Sequence, residues 1–218
     1  MIEQIVSNPA QRIVDDVLAY IDQHSNSDVH ISLTGGRLGT TINNKLLVAC
    51  SENPRVHFWF SDERFVPSGD GQRIAPKPDE SRRCVVHAIP ASNEVSTATE
   101  AATKYSDELH KVLTSRFCAD NTLMDICILS VGPDGHIASL FPHHKALDEK
   151  LGVVAVTDSP KPPATRVTWT YPTINASRNV WLLASGAEKS QAVAALRNGA
   201  NFHDVPAAGT QGKNETRL

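Results

Sequence analysis

Apolar positions along the chain follow two alternating rhythms: short runs that are apolar throughout, and longer stretches in which apolar residues return every three or four positions. Asn8 and Pro9 supply a cap and a first-turn proline, after which Ile13, Val14, Val17, Leu18 and Ile21 predict the first helix. VHISL, Val29–Leu33, reads as a buried strand that runs into glycines. TTINNKLLVAC, Thr40–Cys50, then reads as a helix with Ile42, Leu46 and Leu47 on one side. VHFWF, Val56–Phe60, predicts a second strand in which His57 and Trp59 are packing residues. It leads into SDERFVP and a polar loop lasting to about Pro78, long for a mere connector. Thr97 and Glu100 form a capping box ahead of Tyr105, Leu109 and Val112. Met124–Val131 predicts a third strand ending in glycine. GVVAV and RVTWT predict shorter strands, and NVWLLAS a buried one leading into a helix that Ser185 and Glu188 cap together.

Strand and helix alternate almost throughout, which predicts one α/β domain over residues 1–218 built on a mostly parallel, Rossmann-like sheet between helices. In such sheets, ligands bind at the carboxyl ends of the strands. Composition narrows the function. With 218 residues, 40% of them hydrophobic, the chain can bury a full core, and a net charge of -3 provides no basic field for nucleic acid. No run approaches the roughly 18 apolar residues of a membrane span. The start MIEQIVSNPA lacks the basic and apolar regions of an export signal, so a cytoplasmic protein is expected. Cys50, Cys84, Cys118 and Cys127 form no CxxC pair and read as reduced thiols. A monomer and a small-molecule partner are the expectation.

Four segments end strands or open helices with reactive side chains: LTGGRLGT, SDERFVP, VGPDGHIASLFP and SGAEKS. His136 is the one histidine inside a glycine-rich turn after a core strand, the place for a group that moves protons near neutral pH. Asp134, two residues earlier, is placed to orient the imidazole or to take substrate hydroxyls. Thr34, Gly35 and Gly36 open a helix whose amides suit a phosphate. Taken singly, each feature has a plainer reading: a packing histidine, a solvated charge cluster, a tight turn, an exposed lysine.

Together the four segments resemble the family of 6-phosphogluconolactonases, which also includes glucosamine-6-phosphate deaminases and isomerases. DERFVP at Asp62–Pro67, DGHIASLFP at Asp134–Pro142, RVTWTYPTIN at Arg166–Asn175 and SGAEK at Ser185–Lys189 carry the likeness, in the family's order. The resemblance implies a three-layer α/β sandwich. It also implies hydrolysis of 6-phosphogluconolactone to 6-phosphogluconate in the pentose phosphate pathway, with no metal or organic cofactor. It places His136, Arg64 and Asp134 in catalysis, and Asp62, Arg166 and Lys189, with the Thr34, Gly35 and Gly36 turn, in substrate or phosphate binding. Two roles are open to Arg64, an oxyanion contact or a phosphate contact.

The chain departs from the family's common SGGSTP turn, reading TGGRLGT, so Arg37 stands among the missing hydroxyls. Arg37 either replaces them on phosphate or faces solvent, and solvent is favoured because arginines are mostly exposed. Leu218 also comes sooner than the end of relatives that continue into another strand, which leaves a truncated C-terminus open. His143 and His144, with Asp148, lack the spacing of a metal site. GxSxG is absent, so a serine nucleophile has no support.

Three other functions are open to the same residues. A glucosamine-6-phosphate deaminase or isomerase is the nearest. A nucleotide-binding module fits less well, because Gly35 to Asp62 spans 27 residues where about 20 are usual and the glycine fingerprint is incomplete. A sugar-phosphate sensor without turnover is the third.

Overall fold

A computed structural model describes residues 1–218. The elements run α1 (Pro9–Gln23), β1 (Val29–Leu33), α2 (Gly36–Ala49), β2 (Val56–Phe60), β3 (Asp62–Arg64), β4 (Val85–Val86), α3 (Ala98–Asp120) and β5 (Met124–Ser130). β6 (Val153–Val156), β7 (Arg166–Trp169), α4 (Tyr171–Ile174), β8 (Ser177–Leu183), α5 (Ser190–Arg197) and β9 (Glu215–Arg217) follow.

The central sheet has the order β4-β2-β1-β5-β8-β9. All of its pairings are parallel. Its inner strands are mostly apolar because both faces are covered: every residue of β1 is buried, as are six of the seven in β5. Parallel register carries Leu33 alongside Phe60 and Ser130 alongside Leu183, so the turns after β1, β2, β5 and β8 emerge on one rim. One continuous cluster of 49 buried residues fills the interior.

The predicted caps hold where local geometry decides them. Asn8 accepts a hydrogen bond from the Gln11 N–H at 3.2 Å, and Thr97 accepts from the Glu100 N–H at 3.1 Å. The other predicted cap does not form. Residues Ala187–Lys189 make a single 3-10 turn, and α5 begins at Ser190 with no side-chain cap. The cap position of that turn falls on Gly186, at φ +104°, which has no side chain to cap with. Helix α2 likewise begins at Gly36 and not Thr40, because Gly39 lets its first turn lie on the preceding strand end. A Cβ at Gly39 would sit 2.5 Å from the Thr34 carbonyl oxygen.

The short strands assemble in a way the pattern did not reveal. β3, β7 and β6 form a separate antiparallel sheet with Arg64 opposite Arg166 and Asp62 opposite Thr168. The signature segments DER and RVTW are therefore neighbours across one ladder. Helix α3 packs on β6 and β7. Its Tyr105 hydroxyl, fully buried, accepts from the Phe60 N–H at 2.8 Å and so ties the helix to the end of β2. β4 and β9 were also unmarked in the pattern, being two and three residues long. No helix is long and apolar enough to cross a membrane.

Candidate active site

At the rim where β1, β2, β5 and β8 end lies a cavity of about 620 Å³. Nine of the ten residues expected at the site line it: Thr34, Gly35, Gly36, Arg37, Asp62, Arg64, His136, Arg166 and Lys189. Asp134, the tenth, stands behind His136. The lining also includes Ser130 and Ile74, which sequence reasoning did not single out, and Glu188, expected only as a helix cap.

The turn after β5 is built around the histidine ring. Gly132 donates its N–H to the His136 carbonyl at 2.8 Å, and Gly135 donates to the Gly132 carbonyl at 3.0 Å, closing a tight loop. A Cβ on Gly132 would lie 1.9 Å from His136 Nδ1, so only glycine leaves room for the imidazole. Nδ1 makes a short contact with Asp134 Oδ1. Burial works to raise the Asp134 pKa, but the hydrogen bond and charge of His136 and the charge of Lys161 outweigh it and hold the carboxyl well below its usual range. Nδ1 thus faces both Asp134 and the Lys161 ammonium, 2.9 Å away, whereas Nε2 bonds no protein group.

At the glycine turn, hydroxyls are spent on structure. Thr34 Oγ1 accepts from the Ser130 N–H at 2.9 Å, and Ser130 Oγ donates to the Gly35 carbonyl at 2.9 Å. What remains open is the start of α2, which has Gly35 at its N-cap, no capping side chain and no acid in its first turn. Arg37 is exposed, yet it lies on the cavity rim. Neither Arg37 nor Lys189 bonds any protein group through its charged end. Burial lowers the Lys189 pKa. Glu188 acts in the opposite direction, while Arg37 and Lys161 add to the lowering. The helix start and the uncompensated cations together make an anion-seeking region.

Arg64 links this region to the second sheet. Its Nη1 donates to the Gln72 carbonyl at 2.6 Å, and its Nη2 has no protein partner and lies beside the Gly35 turn. The neighbouring Glu63 is buried and organises the long loop seen in the sequence. It accepts from the N–H groups of Arg64, Ile74 and Ala75 at 2.8 to 3.0 Å and pairs with Arg73 at 3.4 Å. Burial raises the Glu63 pKa, against Arg73 and those three donors. The loop is thereby held with Ile74 against Gly35, as part of the wall.

Asp62 and Arg166 are both buried. Asp62 Oδ2 accepts from Ser139 Oγ at 2.7 Å and lies 3.9 Å from Arg166 Nη1, which leaves Oδ1 without a protein bond. Arg166 lines the cavity, but its guanidinium is largely committed. Nε donates to the Pro163 carbonyl at 3.1 Å, and Nη2 donates to the carbonyls of Lys161 and Pro162 at 3.1 and 3.0 Å. Burial lowers its pKa, with Asp62 opposing.

His143, His144 and His203, outside the cavity, pair separately. His144 meets Asp158 at 2.9 Å, His203 meets Asp148 at 2.9 Å, and His143 lies 3.6 Å from Asp204, so they do not converge on one point.

The family model described as glucosamine-6-phosphate isomerases/6-phosphogluconolactonase matches residues 2–218. The chain belongs to this family. A 6-phosphogluconolactonase of Streptomyces coelicolor is 38% identical over 214 residues, covering 89% of this chain and 80% of that protein. One from Mycobacterium tuberculosis is 39% identical over 199 residues, covering 85% and 79%. The crystal structure of a 6-phosphogluconolactonase from Thermotoga maritima superposes with a TM-score of 0.82 at 25% identity, over 99% of this chain and 97% of that one. The arrangement of a parallel central sheet with a small antiparallel sheet beside it is thus the family's fold.

Proposed function

We propose that the protein hydrolyses 6-phospho-D-glucono-1,5-lactone to 6-phospho-D-gluconate, the lactonase step of the oxidative pentose phosphate pathway. The observation that carries the reading is the division of labour around one cavity. An imidazole is held by a carboxylate through one nitrogen and free at the other, and it shares the wall with a helix start and cations that have no protein partner. A cyclic ester bearing a phosphate needs both parts. The names of the relatives, covering most of the chain, support the same substrate.

In this reading, His136 Nε2 takes a proton from water as the water oxygen bonds to the lactone carbonyl carbon. The tetrahedral intermediate then expels the ring oxygen. The bond from the carbonyl carbon to that oxygen breaks, and the imidazolium returns its proton to the departing alkoxide. Asp134 fixes the ring through Nδ1–H. Gly35, Gly36, Arg37 and Lys189 hold the phosphate, and Thr34 shapes their turn. Arg64 Nη2 faces that turn, which supports a phosphate contact over an oxyanion contact. Asp62 Oδ1 accepts a sugar hydroxyl, and Arg166 keeps Asp62 in place. The reading takes residues 1–218 as one domain, a monomer in the cytoplasm. The single buried cluster and four unpaired thiols fit that setting.

The test is a pH-controlled assay with the phosphorylated lactone, corrected for spontaneous opening, run beside the unphosphorylated lactone and beside ammonia release from glucosamine 6-phosphate. Hydrolysis far above the spontaneous rate is expected, with a kcat/KM for the phosphorylated lactone about a hundredfold above that for the plain one. Ammonia release without lactone hydrolysis replaces the reading with a deaminase.

A further inference from the structure

We propose that Lys161 is a positioning residue that keeps His136 in its proton-accepting form by offsetting the charge of Asp134. The inference rests on the reading of His136 as the base. Lys161 Nζ stands 3.2 Å from both Asp134 carboxylate oxygens and 2.9 Å from His136 Nδ1, on the Asp134 side of the ring. It is not among the residues of the cavity wall, and its contacts are with Asp134 and His136.

The fold spends several interactions on placing this lysine. Arg166 donates to the carbonyls of Lys161, Pro162 and Pro163. Ser159 Oγ accepts from the Lys161 N–H at 3.2 Å and donates to its carbonyl at 2.9 Å. The Phe141 ring lies 4.9 Å from the His136 ring, with Lys161 Nζ 5.8 Å and the Arg166 guanidinium 5.7 Å from its centroid. The buried pair of Arg166 and Asp62, inherited from the β3–β7 ladder, thereby reaches the imidazole through the 161–163 segment.

The physical need is clear from charge. A carboxylate alone beside an imidazole favours the imidazolium, which accepts no proton from water. With an ammonium on the same carboxylate, the field at the ring is nearly balanced, while the Nδ1–H bond still fixes the ring's direction. Asp134 and Lys161 touch the ring, Arg166 lies across Phe141, and Lys189, Glu188, Asp62, Arg64 and Arg37 stand farther round the same wall. Asp134 is the anion in contact with the ring. Lys161 is thus the cation whose removal leaves Asp134 unopposed at short range.

Kinetics from pH 5.5 to 8.5 on the full chain, for wild type, Lys161→Met, Lys161→Arg and His136→Ala, test this together with an NMR titration of the His136 ring protons. The Lys161 side chain is 39% exposed, so the substitution leaves the core intact. In Lys161→Met the ring's titration midpoint is expected to rise by about one pH unit. kcat/KM then drops about tenfold at pH 6 and little at pH 8, with KM within about twofold of wild type. Lys161→Arg restores the acid limb. A uniform loss across the pH range with an unmoved midpoint leaves Lys161 only structural and overturns the proposal, as do superimposable profiles. Retained activity in His136→Ala removes the base assignment instead. The ring titration alone then decides whether Lys161 governs the charge of His136.

Discussion

Toward the amino ends of β1 and β2, His30 and His57 lie with their rings 4.4 Å apart, and His57 Nδ1 meets His87 Nε2 at 2.9 Å. His87 Nδ1 reaches Glu108 at 2.6 Å, and Trp59 Nε1 donates to His30 Nδ1 at 3.2 Å. Asp125 nearby accepts from the His30 N–H at 2.8 Å and from the Tyr20 hydroxyl at 3.1 Å, and it pairs with Arg116. At the carboxyl ends of the same sheet, His136 has one nitrogen bound and one open, and Lys189 and Arg37 have no partner. The amino-end cluster spends most of its polar groups on one another, with Arg116 Nε left unpaired. The carboxyl-end cluster leaves its polar groups facing a cavity, which is what binding requires. Residue type alone does not separate the two; the difference lies in whether the partners are already present.

The sharpest way to break this comparison is His136→Ala. Turnover is expected to fall about 10²- to 10⁴-fold while circular dichroism and the melting temperature stay near wild type. Full activity in that variant makes the rim histidine a packing residue like the others. Next in size is Lys189→Met. Removing an unpaired cation should raise KM for the phosphorylated lactone about ten- to a hundredfold and leave the plain lactone unaffected. Equal losses on both substrates take Lys189 away from the phosphate.

The smallest effect sharpens the other half. Burial, with help from the charges of His57, Arg116 and His87, pushes His30 down to about 3, and burial also lowers His57. A depressed imidazole picks up its proton in the unfolded chain first. Its stabilisation is therefore whole above about pH 6.5 and is lost as pH falls from there toward 3. His30→Asn keeps an acceptor for Trp59 and should flatten the fall in melting temperature on acidification, by about 2 kcal/mol of stability at pH 5, with activity at neutral pH unchanged. Parallel melting curves for the two proteins mean that His30 carries none of the acid sensitivity.

The mostly apolar runs at Val29–Leu33, Val56–Phe60 and Met124–Ser130 were legible because a parallel strand covered on both faces has no solvent face to impose a regular polar alternation. The DGH turn was legible only together with the other three segments, since a histidine after a strand has a plainer use as a packing residue. Lys161 was not, since a lysine in a proline-rich loop has no periodicity and gains its partners only when Arg166 gathers the carbonyls of residues 161–163. The second sheet was also hidden: Asp62–Arg64 is too short to show alternation, and its partner strand lies about a hundred residues on.

The order of strands and helices, the buried runs and the reactive turns were all determined by the chain itself, because periodicity and turn chemistry act between near neighbours. Which charges cancel and which stay open was decided only by the fold. Asp62 with Arg166, Glu63 with Arg73 and Lys161 with Asp134 are ion pairs made between different segments, and an electrostatic balance depends on distance in space.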